Sequence, residues 1–512
     1  METLEALRVG FAVATAPQML LFCFAGVTLG MFIGILPGIG ALAAVALVLP
    51  LTFYAPPTES IVMLAGIYYG ALYGASTAAI LLNLPGTPSA AVTCIDGYPM
   101  AKKGKAGVAL FVTTIASFVG GCLAIICLIV VSPPLSRLVA NFGAAEYFSL
   151  MLLGLVAAST VSISSPLKSL AMIIVGLILG VVGTDIETGY ARFTFGQINL
   201  LDGVSLVALA MGLLGISEVF IRAAEVYRQG PGERAFSARP ESITFRSLLP
   251  SREEFKEAIR PMLRGSAIGT FFGALPGTGG PVASFFSYAA EKRLARDPTR
   301  FGRGAIEGVA APEASNNAAA QAAFIPTLTL GIPGDALMAL ILGALLVHGI
   351  QPGPGMIARH PEMFWGLVAS FWIGNVLLLV LNIPLIQIWV RILTIPYTIL
   401  YPAILLFACI GVFSVSNSVF DIYILIGAAI FGYFLSLFGF SGAPLLLGFI
   451  LGPMIEVNLR RSLLISGGDF SIFINRPISA AFVACTAVLL LVIFYSEISK
   501  LRHRRLEGLT SG

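Results

Sequence analysis

Hydrophobic and polar positions along the chain fall into long runs without a single Asp, Glu, Lys or Arg. Such runs cover Val9–Thr58, Ser60–Ile95, Ala106–Ser136, Ile392–Phe420 and Ile422–Ile455. Each exceeds the roughly 20 residues that take a helix across a bilayer core. In lipid, backbone polar groups must be satisfied inside the spanning segment, which favours helices here. The pattern predicts an all-α polytopic membrane protein. At roughly 40 residues per helix and loop, about 12 transmembrane helices are expected.

Two of these apolar stretches are interrupted in the same way. "GMFIGILPGIG" ends at Gly40 and "GTFFGALPGTG" at Gly279, 239 residues later. Proline removes a backbone donor and glycine loosens the chain, so Pro-Gly breaks a helix. A second pair follows: Leu84-Pro85-Gly86 and Ile332-Pro333-Gly334, at an offset of 248. Between the breaks lie the serines of "YGASTAAILLNLPGTP" and "PEASNNAAAQAAFIPTLTLGIPGD", where Ser76 aligns with Ser315 at offset 239. Glu218 of "GLLGISEVFIRA" likewise aligns with Glu456 of "GFILGPMIEVNLRRS".

The order of the matches predicts two repeats, residues 1–220 and 265–476. The hydrophilic segment 221–264 separates them, with nine basic and six acidic residues. By the positive-inside rule it is a cytoplasmic linker. The remaining basic clusters are not equivalent. Lys102, Lys103 and Lys105 follow the second break of the first half. Lys292, Arg293, Arg296, Arg300 and Arg303 lie between the breaks of the second. If basic loops share one side, equivalent loops lie on opposite sides, as in inverted repeats. Arg460 and Arg461 do not fit that scheme. Residues 477–512 predict an extra transmembrane helix and a basic cytoplasmic tail.

Composition narrows the function. The chain is 57% hydrophobic and 11% charged, with a mean hydropathy of +0.93, against about 25% charged in soluble domains. The net charge of +4 sits in loops, a membrane-orientation signal that gives no reason to expect nucleic acid. Six scattered cysteines lack zinc or disulfide spacing, and His348 has no partner ligand in sequence. No catalytic triad, HExxH or nucleotide-binding motif is present, so neither an enzyme nor a cofactor is expected. The N-terminal apolar run is too long for a signal peptide and reads as retained.

Discontinuous helices in both halves point to a transporter's midplane site, since irregular backbone at membrane depth survives only inside protein or along a polar cavity. A substrate site is expected at Pro37, Gly38, Gly40, Ser76, Pro85, Gly86, Thr87, Pro276, Gly277, Thr278, Gly279, Asn317, Pro333 and Gly334. The breaks contain no Lys or Arg, so helix N-termini and short polar side chains would hold an anion. Coupling by Na+ or H+ is expected at Ser76, Asn83, Ser315, Asn316, Glu313 and Asp335, because exposed carbonyls coordinate sodium and intramembrane carboxylates carry protons. "YYGALYG", Tyr68 to Gly74, reads as a close-packing face.

Five stretches, "GILPGIGALAAVALVLPLTF", "GIYYGALYGASTAAILLNLPGTP", "DGYPMAKKGKAGVAL", "GALPGTGG" and "LTLGIPGDALMALILGALLVHGIQPGP", resemble the large membrane (permease) subunit of tripartite tricarboxylate transporters, TctA-like, over nearly the whole chain. The resemblance implies a multi-pass protein of the bacterial inner (cell) membrane. It also implies a small membrane subunit and a periplasmic substrate-binding protein as partners. The implied substrates are carboxylates, citrate among them, imported by ion-coupled symport. A passive channel for small organic anions and a non-transporting scaffold are the alternatives. Two unlike halves in one chain favour alternating access over a symmetric pore, and a scaffold leaves the breaks unexplained.

Overall fold

In a computed structural model, residues 3–36, 40–161, 165–185, 187–229, 245–276, 279–392 and 397–510 are described. The first half contains α1 (Thr3–Ala14), α2 (Pro17–Ile35), α3 (Ala41–Val48), α4 (Pro57–Leu82), α5 (Ala90–Met100), α6 (Ala106–Val139), α7 (Ala144–Val161) and α8 (Pro166–Gly180). A two-stranded antiparallel hairpin follows, β1 (Gly183–Thr184) against β2 (Ala191–Arg192). The half closes with α9 (Leu206–Ala210) and α10 (Ser217–Gln229), joined by a π-helical turn.

In the second half, α11 (Phe245–Leu248) precedes α12 (Arg252–Ala274), α13 (Gly279–Leu294), α14 (Glu307–Ala322), α15 (Phe324–Leu330) and α16 (Ala336–Val347). After α17 (Met356–Arg359) come α18 (Pro361–Asn382), α19 (Ile386–Ile392), α20 (Tyr397–Ser416), α21 (Val419–Leu437), α22 (Gly442–Ile465), α23 (Ile472–Asn475) and α24 (Pro477–Thr510). The chain is an all-α polytopic membrane protein. Among the described residues nine helices are long and apolar enough to cross a membrane, and four shorter apolar helices accompany them. The expectation of about twelve spans is consistent with these nine taken together with the shorter α3, α7, α8 and α16.

The helices form two compact units, each drawn from both halves. One holds residues 1–139 and 207–433, the other 140–206 and 434–512. The sequence repeats therefore do not coincide with compact bodies.

Within the first unit the same packing occurs twice. Gly26, Gly30 and Gly34 of α2 lie so close to α4 that a Cβ on each would strike the Met63, Ile67 and Ala71 carbonyl oxygens. Gly265, Gly269 and Gly273 of α12 stand in the same way against Ala311, Ser315 and Ala319 of α14. Small residues every four positions let two backbones meet. Gly70 and Gly74 of α4 are packed onto Val27 and Met31, the close contact anticipated for "YYGALYG". The facing helices match at offset 248, so Ile67, and not Ser76, holds the place of Ser315. The sequence alignment at offset 239 carried the register of the opening helix one segment too far. Helix ends follow the same register: α4 stops at Asn83 (φ 57°) and α15 at Gly331 (φ 72°), both left-handed caps.

The segment 221–264 is not all linker. Helix α10 runs to Gln229, and a Ser251/Glu254 capping box starts α12 at Arg252. Residues 230–244 lie outside the described residues. The start of α12 also joins the non-equivalent basic loops. Lys105 pairs with Glu254 at 2.8 Å and Arg300 with Glu257 at 3.1 Å, while the Lys103 ammonium donates to the Arg303 carbonyl at 2.6 Å. Basic segments from unlike positions of the two halves thus meet at one end of this unit.

Candidate functional site

Helix α14 carries the most polar sequence in the interior of the first unit, and every residue from Gly308 to Ala322 is buried. The helix fits there because its neighbours present small residues. A Cβ at Gly120 of α6, like those at Gly265 and Gly269 of α12, would collide with an α14 carbonyl. Glu313, at 1% exposure, is the buried carboxyl of this helix. Its donors come from three other helices: Ser76 of α4 at 2.8 Å, Ser117 of α6 at 3.5 Å, and Thr93 of α5. Asn317, one turn along, donates to Ser117 at 2.7 Å and to the Glu313 carbonyl at 3.1 Å. No described Lys, Arg or His bonds to Glu313.

Around this carboxyl several buried polar atoms have no hydrogen-bond partner among the described residues: Ser315 Oγ, Asn316 Nδ2, Asn317 Oδ1 and both polar atoms of the Gln321 side chain. Glu313, Asn317 and Gln321 recur every four residues and so share one helix face. Unpaired polar groups in an apolar interior cost about 1–3 kcal/mol each. Such a cluster costs stability and does not add to it.

The breaks come together within each half. A Cβ on Gly40 would lie 3.1 Å from the Gly86 carbonyl oxygen, and one on Gly279 would lie 3.4 Å from Asp335 Cβ. Gly86 sits against Ala75, and Gly334 against Ala323, at the same offset of 248. The residue after each second break caps the next helix. Thr87 Oγ1 accepts from the Ala90 N–H at 3.3 Å, and Asp335 accepts from the Met338 N–H at 2.8 Å. Tyr68 of α4 donates to the same Asp335 at 2.6 Å, linking the halves. Helix α3 begins at Gly40 without a side-chain cap. Asn316 reaches the same break as Gly279: a Cβ on Gly280 would stand 2.5 Å from its Oδ1.

Of the expected site residues, Ser76, Glu313 and Asn317 meet in one buried cluster, with Ser315 and Asn316 on the same helix. Thr87, Gly86, Gly279, Pro333 and Gly334 are buried at the breaks. Gly40, Pro276 and Asp335 are partly buried, and Pro85 is exposed. Asn83 is exposed and takes a backbone role as the left-handed cap of α4. Pro37, Gly38, Gly277 and Thr278 lie outside the described residues.

Sequence reasoning missed Thr93, Ser117 and Tyr68, which are hydroxyls inside apolar helices with nothing local to mark them. It also missed Asp96, fully buried on α5. Asp96 accepts from the N–H groups of Gly302, Gly304 and Ala305 at 2.7–2.9 Å and from the Tyr288 hydroxyl at 2.9 Å. It thereby fixes the turn that leads into α14. A lone acid ending the run Ser60–Ile95 was the available signal.

The second unit has a cleft of another kind, a cavity of about 330 Å³ between α8, the hairpin and α22. Arg460 bonds Asp185 at 2.8 Å, Glu456 at 2.7 Å and Glu187 at 3.3 Å; Arg192 bonds Glu456 at 2.5 Å. Hydrogen bonds from Arg460 hold the Asp185 carboxyl well below the usual carboxylate range. Arg460, which the positive-inside argument left unplaced, is a cation spent on three acids.

The model of the tripartite tricarboxylate transporter TctA family matches residues 20–447. Two proteins of Agrobacterium vitis are similar. An uncharacterized 52.8 kDa protein in the TAR-I ttuC' 3'region is 48% identical over 504 residues, covering 98% of this chain and 99% of its own. An uncharacterized protein in the TAR-II ttuC' 3'region is 52% identical over 236 residues, 46% of this chain and 98% of its own. No solved structure gave a significant match.

Proposed function

Because the chain belongs to the tripartite tricarboxylate transporter TctA family, we propose that it is the large membrane subunit of an importer for carboxylates. In this reading it lies in the bacterial inner membrane. It takes tricarboxylates such as citrate, or smaller carboxylates, from a periplasmic binding protein, and works beside a small membrane subunit. Transport is by cation-coupled alternating access. The observation that carries the reading is the buried polar helix α14, clasped by helices of both halves and flanked by paired breaks. The meeting of non-equivalent basic loops at one end supports an inverted arrangement of the halves.

The two break pairs differ chemically. The first offers the uncapped start of α3 at Gly40, with the Thr87 and Ser89 hydroxyls nearby in sequence to Gly86, and no acid. Free N–H groups at a helix start suit a substrate carboxylate. The second carries Asp335 beside Gly279 and Asn316 beside Gly280, which suit a cation. The test is uptake of labelled di- and tricarboxylates into proteoliposomes, with and without sodium and proton gradients and the partner proteins. Saturable accumulation that needs a cation gradient supports the reading. Flux that only equilibrates, indifferent to ions, would indicate a pore.

A further inference from the structure

We infer that the coupling ion is a proton carried by Glu313, and that the hydroxyls of Ser76, Thr93 and Ser117 form a shell able to hold both its charged and its neutral form. The inference rests on the transport reading above and names the ion and the residue.

A hydroxyl has one hydrogen to give and lone pairs to receive. Ser76 Oγ lies 2.8 Å from Glu313 Oε2 and 3.1 Å from the Leu72 carbonyl oxygen, so its hydrogen goes to one or the other. With Glu313 as a carboxylate, Ser76 donates to Oε2, Thr93 to Oε1 and Ser117 weakly to Oε2. When a hydronium gives its proton to Oε2 and leaves as water, the Ser76 hydrogen swings to Leu72. Ser76 then accepts the new Oε2–H, and Thr93 still donates to Oε1. No bond is lost and no heavy atom need move. On release the proton passes to water on the other side and the hydrogens swing back.

The surroundings exclude the fixed alternatives. A Lys or Arg beside the carboxylate would hold it charged, and a wholly apolar wall would hold it neutral. Tyr73 of α4 and Cys94 of α5 lie near enough to Glu313 to feel its charge, and Cys122 of α6 lies near Tyr73 in the same sense. Helices α12 and α13 bring Arg264 and Glu291, bonded to each other at 2.6 Å. Tyr288 of α13 is bonded to Asp96 of α5, and Glu307 on α14 pairs with Arg300. An unpaired carboxylate among neutral groups in a membrane interior is costly, so it is the state that must take up a cation. Asp335 differs in that a helix start and Tyr68 already hold it.

The test reconstitutes the complete complex in liposomes and measures labelled citrate and succinate uptake against pH gradients at constant sodium. Wild type is expected to accumulate substrate with an inward proton gradient and to take up protons as it does so. Glu313→Gln should lose accumulation by tenfold or more, and whatever exchange it retains should not vary with pH. Glu313→Asp should stay coupled with a displaced pH profile. Infrared difference spectra of the same protein without substrate should show a carboxylic-acid band that titrates in wild type and is absent from Glu313→Gln, whether or not that variant transports. Accumulation driven by sodium at fixed pH overturns the proton assignment and leaves the transport reading standing. Proton-driven accumulation by Glu313→Gln overturns the residue. Wild-type complex that moves neither carboxylate under any gradient sinks both readings.

Discussion

Two acid sites, one in each unit, are held in opposite ways. In the second, Asp185, Glu187 and Glu456 share two arginines. In the first, the described partners of the Glu313 carboxyl are hydroxyls. Permanent pairing makes the cleft of α22 a fastening, since guanidinium does not give up its proton at any working pH. Hydroxyl pairing leaves the charge on α14 open to exchange. The same residue type thus yields a clamp or a switch according to what stands opposite it.

The most severe way to break this contrast is to give Glu313 a clamp of its own. Ser117→Lys places an ammonium beside Glu313. Breaking a buried ion pair costs about 3–5 kcal/mol, so proton uptake should fall on the order of 100-fold or more. Uptake assays on the folded complex would check this, and unaltered pH-dependent uptake would remove the distinction between the two sites.

Next in size is the reverse change. Arg460→Ala leaves Asp185, Glu187 and part of Glu456 without their shared cation. The thermal midpoint of the solubilised complex should fall by several degrees, while the pH profile of transport keeps its position. A displaced profile would mean that the cleft takes part in coupling.

A milder probe is acid. The Asp185 carboxyl is depressed by Arg460, so the stability it contributes is complete above the unfolded carboxylate range and is lost as pH falls through its lower folded value. Protease protection of the loop 181–205 should therefore persist through mildly acidic pH and fail only at strongly acidic pH. Loss near neutrality would contradict the pairing.

The smallest effect belongs to Asn83→Gly. At φ 57° glycine fits the left-handed cap without strain, and stability should change by less than about 1 kcal/mol. Cation dependence of uptake should stay as in wild type. A shifted ion requirement would restore Asn83 as a ligand.

What could be read from sequence follows from range. Uncharged runs and Pro-Gly pairs are local signals, and they marked the helices and the breaks. Glu313 stood out because an acid between apolar runs is rare. Its hydroxyl donors did not, since Ser76, Thr93 and Ser117 lie on three helices and only packing brings them together. Helix α14 was visible as a polar stretch but not as a buried one, because its burial depends on glycines of α6 and α12. The Glu456 match to Glu218 was legible, and each proves to pair with an arginine four residues on. The cleft in which Glu456 sits required the hairpin, which no periodicity announced.

The glycines that join α2 to α4 and α12 to α14 have a genetic consequence. Every missense change at a glycine codon adds at least a Cβ. At Gly26, Gly30, Gly34, Gly265, Gly269 and Gly273 that atom meets backbone, which has no rotamer by which to move aside. These positions have no conservative replacement, not even alanine. Substitutions in these two helix pairs are therefore expected to be tolerated only on their other faces.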